Sequence, residues 1–182
     1  MTENQNHVGR FIKATSFAAG KHRNQRRKDA DASPYINHPI ALADVLANEG
    51  GVTDITVLCA AVLHDTIEDT ETSVDELDTL FGSRVTSVVL EVTDDKSLEK
   101  HVRKQRQIEH APHISRAAKL VKLADKICNL RDILASPPED WTAQRKREYF
   151  DWAAMVVDGL RGAHSGLETI FDGLMDRYAE LD

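Results

Sequence analysis

The most hydrophobic stretch of this chain ends in a cluster of chemically active side chains. Val57, Leu58, Cys59, Ala60, Ala61, Val62 and Leu63 are followed directly by His64, Asp65, Thr66, Ile67, Glu68 and Asp69. Ionisable groups drawn toward a core cost several kcal/mol each unless they are paired or bind a metal. Asp65, Glu68 and Asp69 stand at i, i+3 and i+4, so they project from one face if a helix continues through them. With 8 His and 30 acidic residues in 182, the pattern His-acid-x-x-acid-acid should arise by chance about 0.04 times in such a chain. A second carboxylate among apolar neighbours is Asp125, within Leu120-Val121-Lys122-Leu123-Ala124-Asp125-Lys126-Ile127-Cys128. A buried Asp needs a cation, and Lys122 or Lys126 could serve. His38 directly precedes Pro39 at the start of another helical pattern.

Together His38, His64, Asp65 and Asp125 offer two imidazoles and two carboxylates from three helices. Hard oxygens without thiolates favour Mn²⁺, Mg²⁺ or Fe²⁺ over structural Zn²⁺. Four protein ligands on an octahedral ion leave positions for water and a substrate oxygen, as metal-assisted hydrolysis requires. Residues 21–28 carry five fixed positive charges in an otherwise acidic chain of net charge −7. The net charge argues against a general nucleic-acid binder. The concentrated basic segment suits a small anionic ligand, or else it is a solvated helix end.

The elements that must position these residues read as helices. Val8, Phe11, Ile12, Thr15, Ala18 and Ala19 follow a 3.6 period up to the basic run. A polar loop over residues 29–33 leads to Pro34, which no helix can continue through. Pro39 suits a first turn, and a second helix runs to Glu49, where Gly50 and Gly51 supply a left-handed stop. Asp54 can cap a third helix from Ile55 to about Thr66, apolar all round and therefore central. Ser73 and Glu76 form a capping box. Val85, Val88, Val89 and Val92 are β-branched, yet their spacing favours helix. Further helices are expected over residues 97–110 and 117–130, from a Thr142 cap onward, and from a Ser165/Glu168 capping box onward. No strand alternation, repeat or linker appears, which predicts one all-α domain over residues 1–182.

The composition agrees: 41% hydrophobic, 29% charged and only 5% aromatic residues indicate a soluble globular domain with an aliphatic core. No apolar run approaches a membrane span. The first six residues are polar and lack the order of a signal peptide. Cys59 and Cys128 lie in apolar helical patterns, which fits buried free thiols in a cytoplasmic protein.

His38, His64-Asp65 and Asp125 match the H…HD…D pattern of the HD-domain metal phosphohydrolases. The flanking segments Arg26-Arg27-Lys28, Pro34-Tyr35-Ile36-Asn37-His38-Pro39, His64-Asp65-Thr66-Ile67-Glu68-Asp69-Thr70 and Lys122 through Arg131 resemble the hydrolase half of the RelA/SpoT family. The whole chain, including Glu148-Tyr149-Phe150-Asp151-Trp152-Ala153, resembles its small stand-alone, metazoan SpoT-like hydrolases. The resemblance implies a helical bundle of about nine helices that removes the 3′-diphosphate from guanosine tetra- and pentaphosphate (ppGpp and pppGpp), usually with Mn²⁺. It implies that Glu68 and Asp69 orient and deprotonate the attacking water, that Arg27 contacts the base and that Asn129 lines the nucleotide pocket. Lys28, Lys100, Arg145 and Tyr149 are further pocket residues by the same resemblance.

Two features depart from the long bacterial enzymes. The loop over residues 28–34 is longer, which relaxes base selectivity, and no synthetase domain follows within this chain. The alternative substrate is another ribose-phosphorylated nucleotide such as NADPH. A generic nucleoside 5′-monophosphate phosphatase is disfavoured by Arg27 and Asn129. A catalytically dead binding module ranks last, because all four ligands and the Glu68-Asp69 pair are present.

Overall fold

The computed structural model describes residues 3–29 and 31–181, with side chains from residue 6 onward. Met1, Thr2, Ala30 and Asp182 lie outside the described residues, so the polar N-terminal stretch and the loop over residues 29–33 are described only in part. Ten α-helices are present among the described residues: α1 (Glu3–Lys21), α2 (Asn37–Asp44), α3 (Ile55–Leu63), α4 (Thr66–Asp69), α5 (Val74–Phe81), α6 (Ser83–Val92), α7 (Lys100–His110), α8 (Arg116–Ala135), α9 (Ala143–Asp158) and α10 (Ser165–Met175). Nine span at least two turns, and α4 is a single turn. A lone backbone bridge between Arg26 and Pro34 is the one trace of β-pairing there.

Helix α3 is the centre of the bundle. Ile55, Val57, Cys59, Ala60, Ala61, Val62 and Leu63 are buried, because the helix packs against α1, α2, α6 and α8 on different sides. Helix α8 is the second axis and packs against α2, α3, α6, α9 and α10. Its Leu120, Leu123, Ile127 and Leu130 are buried, and each such side chain stabilises the fold by roughly 1.5–3 kcal/mol. The valines at 85, 88, 89 and 92 are buried on one face of α6. Helical spacing therefore prevails over β-branched propensity where packing rewards it.

Several boundaries differ from the sequence expectation. The second helix continues to Glu49, but its last turn, Val45–Glu49, is π-helical. The left-handed residue that ends it is Gly51 (φ 62°), not Gly50. The helix expected from Ser97 begins at Lys100. At α10 the cap is His164, whose Nδ1 accepts from the Leu167 amide at 3.1 Å, while Nε2 donates to the Gly50 carbonyl. Glu168 accepts from the Gly162 and His164 amides, so the expected box is shifted by one residue.

The consequential difference is the end of α3, which stops at Leu63 instead of running to Thr66. His64 Nδ1 takes the Ala61 carbonyl at 2.8 Å, and Thr66 Oγ1 takes the Leu63 carbonyl at 2.7 Å. These side chains compete with the next helical hydrogen bonds. Asp65 then sits at φ −96°, ψ 0°, in the sparsely allowed bridge region where turn and active-site residues occur. Helix α4 restarts at Thr66.

Candidate active site

The broken end of α3, the start of α2 and the middle of α8 converge on the floor of a cleft of about 600 Å³. Ligand-capable atoms of His38, His64 and Asp65 all lie within 4.8 Å of one another. Asp125 stands outside that three-residue group, yet its Oδ1 is 3.2 Å from His38 Nε2. His64 Nε2 is 2.8 Å from Asp65 Oδ2. Both histidines are buried.

The chemistry of this donor set fits a cation. The Ala61 carbonyl can only accept, so His64 Nδ1 carries the hydrogen and Nε2 is left facing the Asp65 carboxylate. Two acceptors cannot sit 2.8 Å apart unless a proton or a metal ion relieves the repulsion. Such a backbone contact on the second ring nitrogen is the usual support of a metal-binding His. Burial disfavours an imidazolium at His64, but the Asp65 charge and hydrogen bond outweigh it and push the pKa up to about 9. Burial likewise opposes the Asp65 charge, yet His64, His38 and a hydrogen bond from Tyr35 hold its carboxyl well below the usual range.

Asp125 is gripped at both oxygens. Lys126 Nζ is 3.0 Å from Oδ2, and Asn129 Nδ2 donates to Oδ1 at 2.8 Å. Burial works against the Lys126 charge, but Asp125 raises its pKa, so the ammonium persists. Of the two lysines that the sequence offers, Lys126 is therefore the partner, whereas Lys122 Nζ donates to the Val92 carbonyl at 3.2 Å.

Glu68 and Asp69 line the same cleft on α4. Glu68 accepts from the Asp94 amide at 3.0 Å, with Arg103 at 3.8 Å. Burial, together with the charges of Asp65, Asp94 and Asp69, pushes its pKa up against that amide bond. Asp69 accepts from Gln25 at 2.7 Å and is ion-paired with Lys96. Neither partner is near it in sequence.

The basic segment does not extend α1 but forms a loop over the cleft. It is closed by hydrogen bonds from Arg27 N to the Ser33 carbonyl and from Tyr35 N to the Gln25 carbonyl. Arg27 and Lys28 line the cleft, as do Asn129 and Tyr149. Arg27 is ion-paired with Asp132 of α8, which also lines the cleft. Lys100 and Arg145 are not in this cleft. They line an adjoining cavity of about 510 Å³ that shares Asp94, Gln107, Trp141 and Tyr149 with it. Arg145 lies over the Trp141 ring and pairs with Asp140.

Gln25, Lys96, Asp94 and Asp132 carry no sequence signal as neighbours of the chemistry, and the contact of Tyr35 with Asp65 shows only in the fold. Each is a polar residue in a loop or on a solvated helix face, so no local pattern marks it.

Comparison with known proteins agrees with this geometry. Residues 14–154 match the family model described as HD domain. Guanosine-3′,5′-bis(diphosphate) 3′-pyrophosphohydrolase MESH1 of Danio rerio is 56% identical over 158 residues, covering 87% of this chain and 88% of that protein. The protein of the same name from Homo sapiens is 56% identical over 161 residues, covering 88% and 90%. A solved structure reported as "A metazoan ortholog of SpoT hydrolyzes ppGpp and plays a role in starvation responses" superposes with a TM-score of 0.90 at 49% identity, over 92% of this chain and 94% of that one. The chain belongs to the HD-domain family.

Proposed function

We propose that residues 1–182 form a single HD-type phosphohydrolase domain that hydrolyses the 3′-diphosphate of guanosine 3′,5′-bis(diphosphate) and its pentaphosphate counterpart. The products are GDP or GTP and pyrophosphate. The observation that carries the proposal is the convergence of His38, His64, Asp65 and Asp125 beside Glu68 and Asp69 under a basic loop. The relatives' names point to the same substrate and give no support to NADPH.

His38, His64, Asp65 and Asp125 would hold a divalent ion, with Mn²⁺ as the proposed species. When bound, that ion supplies Lewis-acid polarisation of a phosphoryl oxygen and acidifies water. Glu68, its pKa raised by burial, accepts the proton of the attacking water. Asp69 orients that water. The water oxygen bonds to the phosphorus borne by the ribose 3′ oxygen, the bond to that oxygen breaks, and the proton taken by Glu68 passes to the 3′ oxygen, which becomes the hydroxyl of GDP or GTP as pyrophosphate leaves. Arg27 and Lys28 neutralise phosphate charge at the opening, and Arg27's planar guanidinium also suits stacking on a purine. Asn129 and Tyr149 line the nucleotide pocket, where Trp141 and Tyr149, with ring centroids 5.7 Å apart, add an aromatic wall. Lys100 and Arg145 meet more distant phosphates from the adjoining cavity.

No described helix is long and apolar enough to cross a membrane. The proposed setting is the cytoplasm, in keeping with free, buried Cys59 and Cys128, and the proposed partner is a small nucleotide, not nucleic acid.

The test is product analysis with purified protein, Mn²⁺ and ppGpp, with an EDTA control. Metal-dependent release of GDP and pyrophosphate is the expected outcome. Intact ppGpp in the presence of bound Mn²⁺ would overturn the assignment.

A further inference from the structure

Asp69 is held by a short chain of groups that starts immediately after α1. Gln25 Nε2 donates to Asp69 Oδ2 at 2.7 Å, and Gln25 Oε1 lies 2.6 Å from His22 Nδ1. A carboxylate only accepts, so the Gln25 amide must turn its NH₂ toward Asp69 and its carbonyl toward His22. That carbonyl also only accepts, so His22 must carry a hydrogen on Nδ1. The orientation of every member thus follows from the carboxylate at the end.

His22 is a costly residue to keep here for packing alone. It is 2% exposed, and its Nε2 is buried without a hydrogen-bond partner among the described residues. Leaving such an atom unsatisfied costs roughly 1–3 kcal/mol. The ring also lies 5.0 Å from the Tyr35 ring, whose hydroxyl donates to Asp65. One imidazole therefore backs both an arm to the metal-type carboxylate and an arm to the water-orienting carboxylate. Lys96, the other partner of Asp69, is half-exposed, and a long solvated side chain fixes direction weakly.

We propose that His22 and Gln25 are positioning residues for the hydrolysis: they set the direction of the Asp69 carboxylate and so the placement of the attacking water. This inference rests on the hydrolase reading given above. Neither residue touches the substrate in the proposed mechanism.

The full chain is used for the test, with Mn²⁺ and ppGpp. In Gln25→Leu and His22→Phe, kcat falls roughly 10–100-fold, the usual range for residues that orient a site's inner groups. KM and calorimetric Mn²⁺ affinity stay within about threefold, since ground-state contacts are untouched. His22→Asn, whose amide nitrogen can replace Nδ1 as donor, recovers most of kcat. Nitrogen-15 NMR supplies a readout independent of substrate: His22 shows Nδ1–H in the wild-type protein, and the signature is lost in Gln25→Leu. Wild-type protein inert toward ppGpp would defeat the hydrolase reading, while the NMR signature would still report on the chain of hydrogen bonds. Unchanged kcat in Gln25→Leu would overturn the proposal, as would equal activity of His22→Phe and His22→Asn. Mn²⁺ affinity falling in step with kcat, or wild-type His22 without hydrogen on Nδ1, would overturn it too.

Discussion

Lys126 follows Asp125 in sequence and also faces it at the site, with Nζ 3.0 Å from Asp125 Oδ2. Adjacent residues on a helix do not ordinarily face each other. The same ammonium also lies over the Trp152 ring, with Nζ 4.2 Å from its centroid. A buried ammonium thus neutralises one face of a carboxylate whose other oxygen meets His38 and Asn129.

Replacing Lys126 with Met should leave Asp125 charged without its ammonium partner. Losing one partner of a buried pair costs about 3–5 kcal/mol, and a divalent cation restores part of the missing charge. Thermal denaturation with and without saturating Mn²⁺ should therefore show the larger loss in metal-free protein. Equal losses in both would mean that Lys126 serves packing, not the Asp125 charge.

Metal binding and water activation should separate by mutation. Asp65→Ala removes the acceptor beside His64 and should abolish Mn²⁺ binding and turnover together. Glu68→Gln keeps the shape and the Asp94 amide contact and should retain Mn²⁺. Its turnover should fall by about 10²–10⁴, the range for a lost general base. Calorimetric titration alongside product release distinguishes them, and near-normal turnover in Glu68→Gln would move the base elsewhere.

Arg27 and Asp132 both line the cleft and pair with each other, so Asp132 competes with an anionic substrate for the guanidinium. Asp132→Asn should lower KM about two- to fivefold, corresponding to the 0.5–1 kcal/mol of a partly exposed pair. The gain should shrink as salt is added. A raised KM would show that Asp132 orients Arg27 productively.

Glu49 and Arg131 form a two-pronged pair, at 2.6 and 2.7 Å, that ties the π-helical turn to α8. The Arg131 hydrogen bond and charge hold the Glu49 carboxyl below its ordinary value, against its burial. A carboxyl with a lowered folded pKa stabilises the fold at pH above its unfolded value, near 4.5, and loses that contribution as pH falls through the lower folded value. Glu49→Gln should therefore cost about 0.5–1 kcal/mol at pH 7, after solvent screening of this partly exposed pair. The difference from wild type should vanish toward pH 3. Denaturant titrations at the two pH values measure it, and a constant difference would exclude the ionic contribution.

Much of the molecule is legible in residue types and their spacing. The all-round apolar run of α3 marks it as a buried axis, because a helix without a polar face must be covered on every side; the nearly apolar pattern of α8, interrupted by Lys119, Lys122, Asp125, Lys126 and Asn129, marks the second. His64, Asp65 and Asp125 stand out as ionisable groups where apolar ones are expected. Asp54, Ser73 and Thr142 are read correctly as caps, since a cap is a local hydrogen bond. The resemblance to the RelA/SpoT hydrolases gives Glu68 and Asp69 their expected roles and adds Arg27 and Asn129, and all four line the cleft.

Local pattern could not show where α3 ends. A helix through Thr66 is consistent with the period, yet it ends at Leu63, where the His64 and Thr66 side chains take its last carbonyls. Nor could it show that Lys100 and Arg145 open onto a neighbouring cavity, that Arg27 is engaged by Asp132, or that His22 reaches Asp69 through Gln25. The sequence by itself determined the helical class, the two central helices and most of the residues that do chemistry, because hydrophobic period and misplaced charge are local properties of the chain. The tertiary structure alone decided which polar groups hold Asp69 and Asp132. Those pairings join residues 44 and 105 positions apart, and their distances are set by how the helices pack.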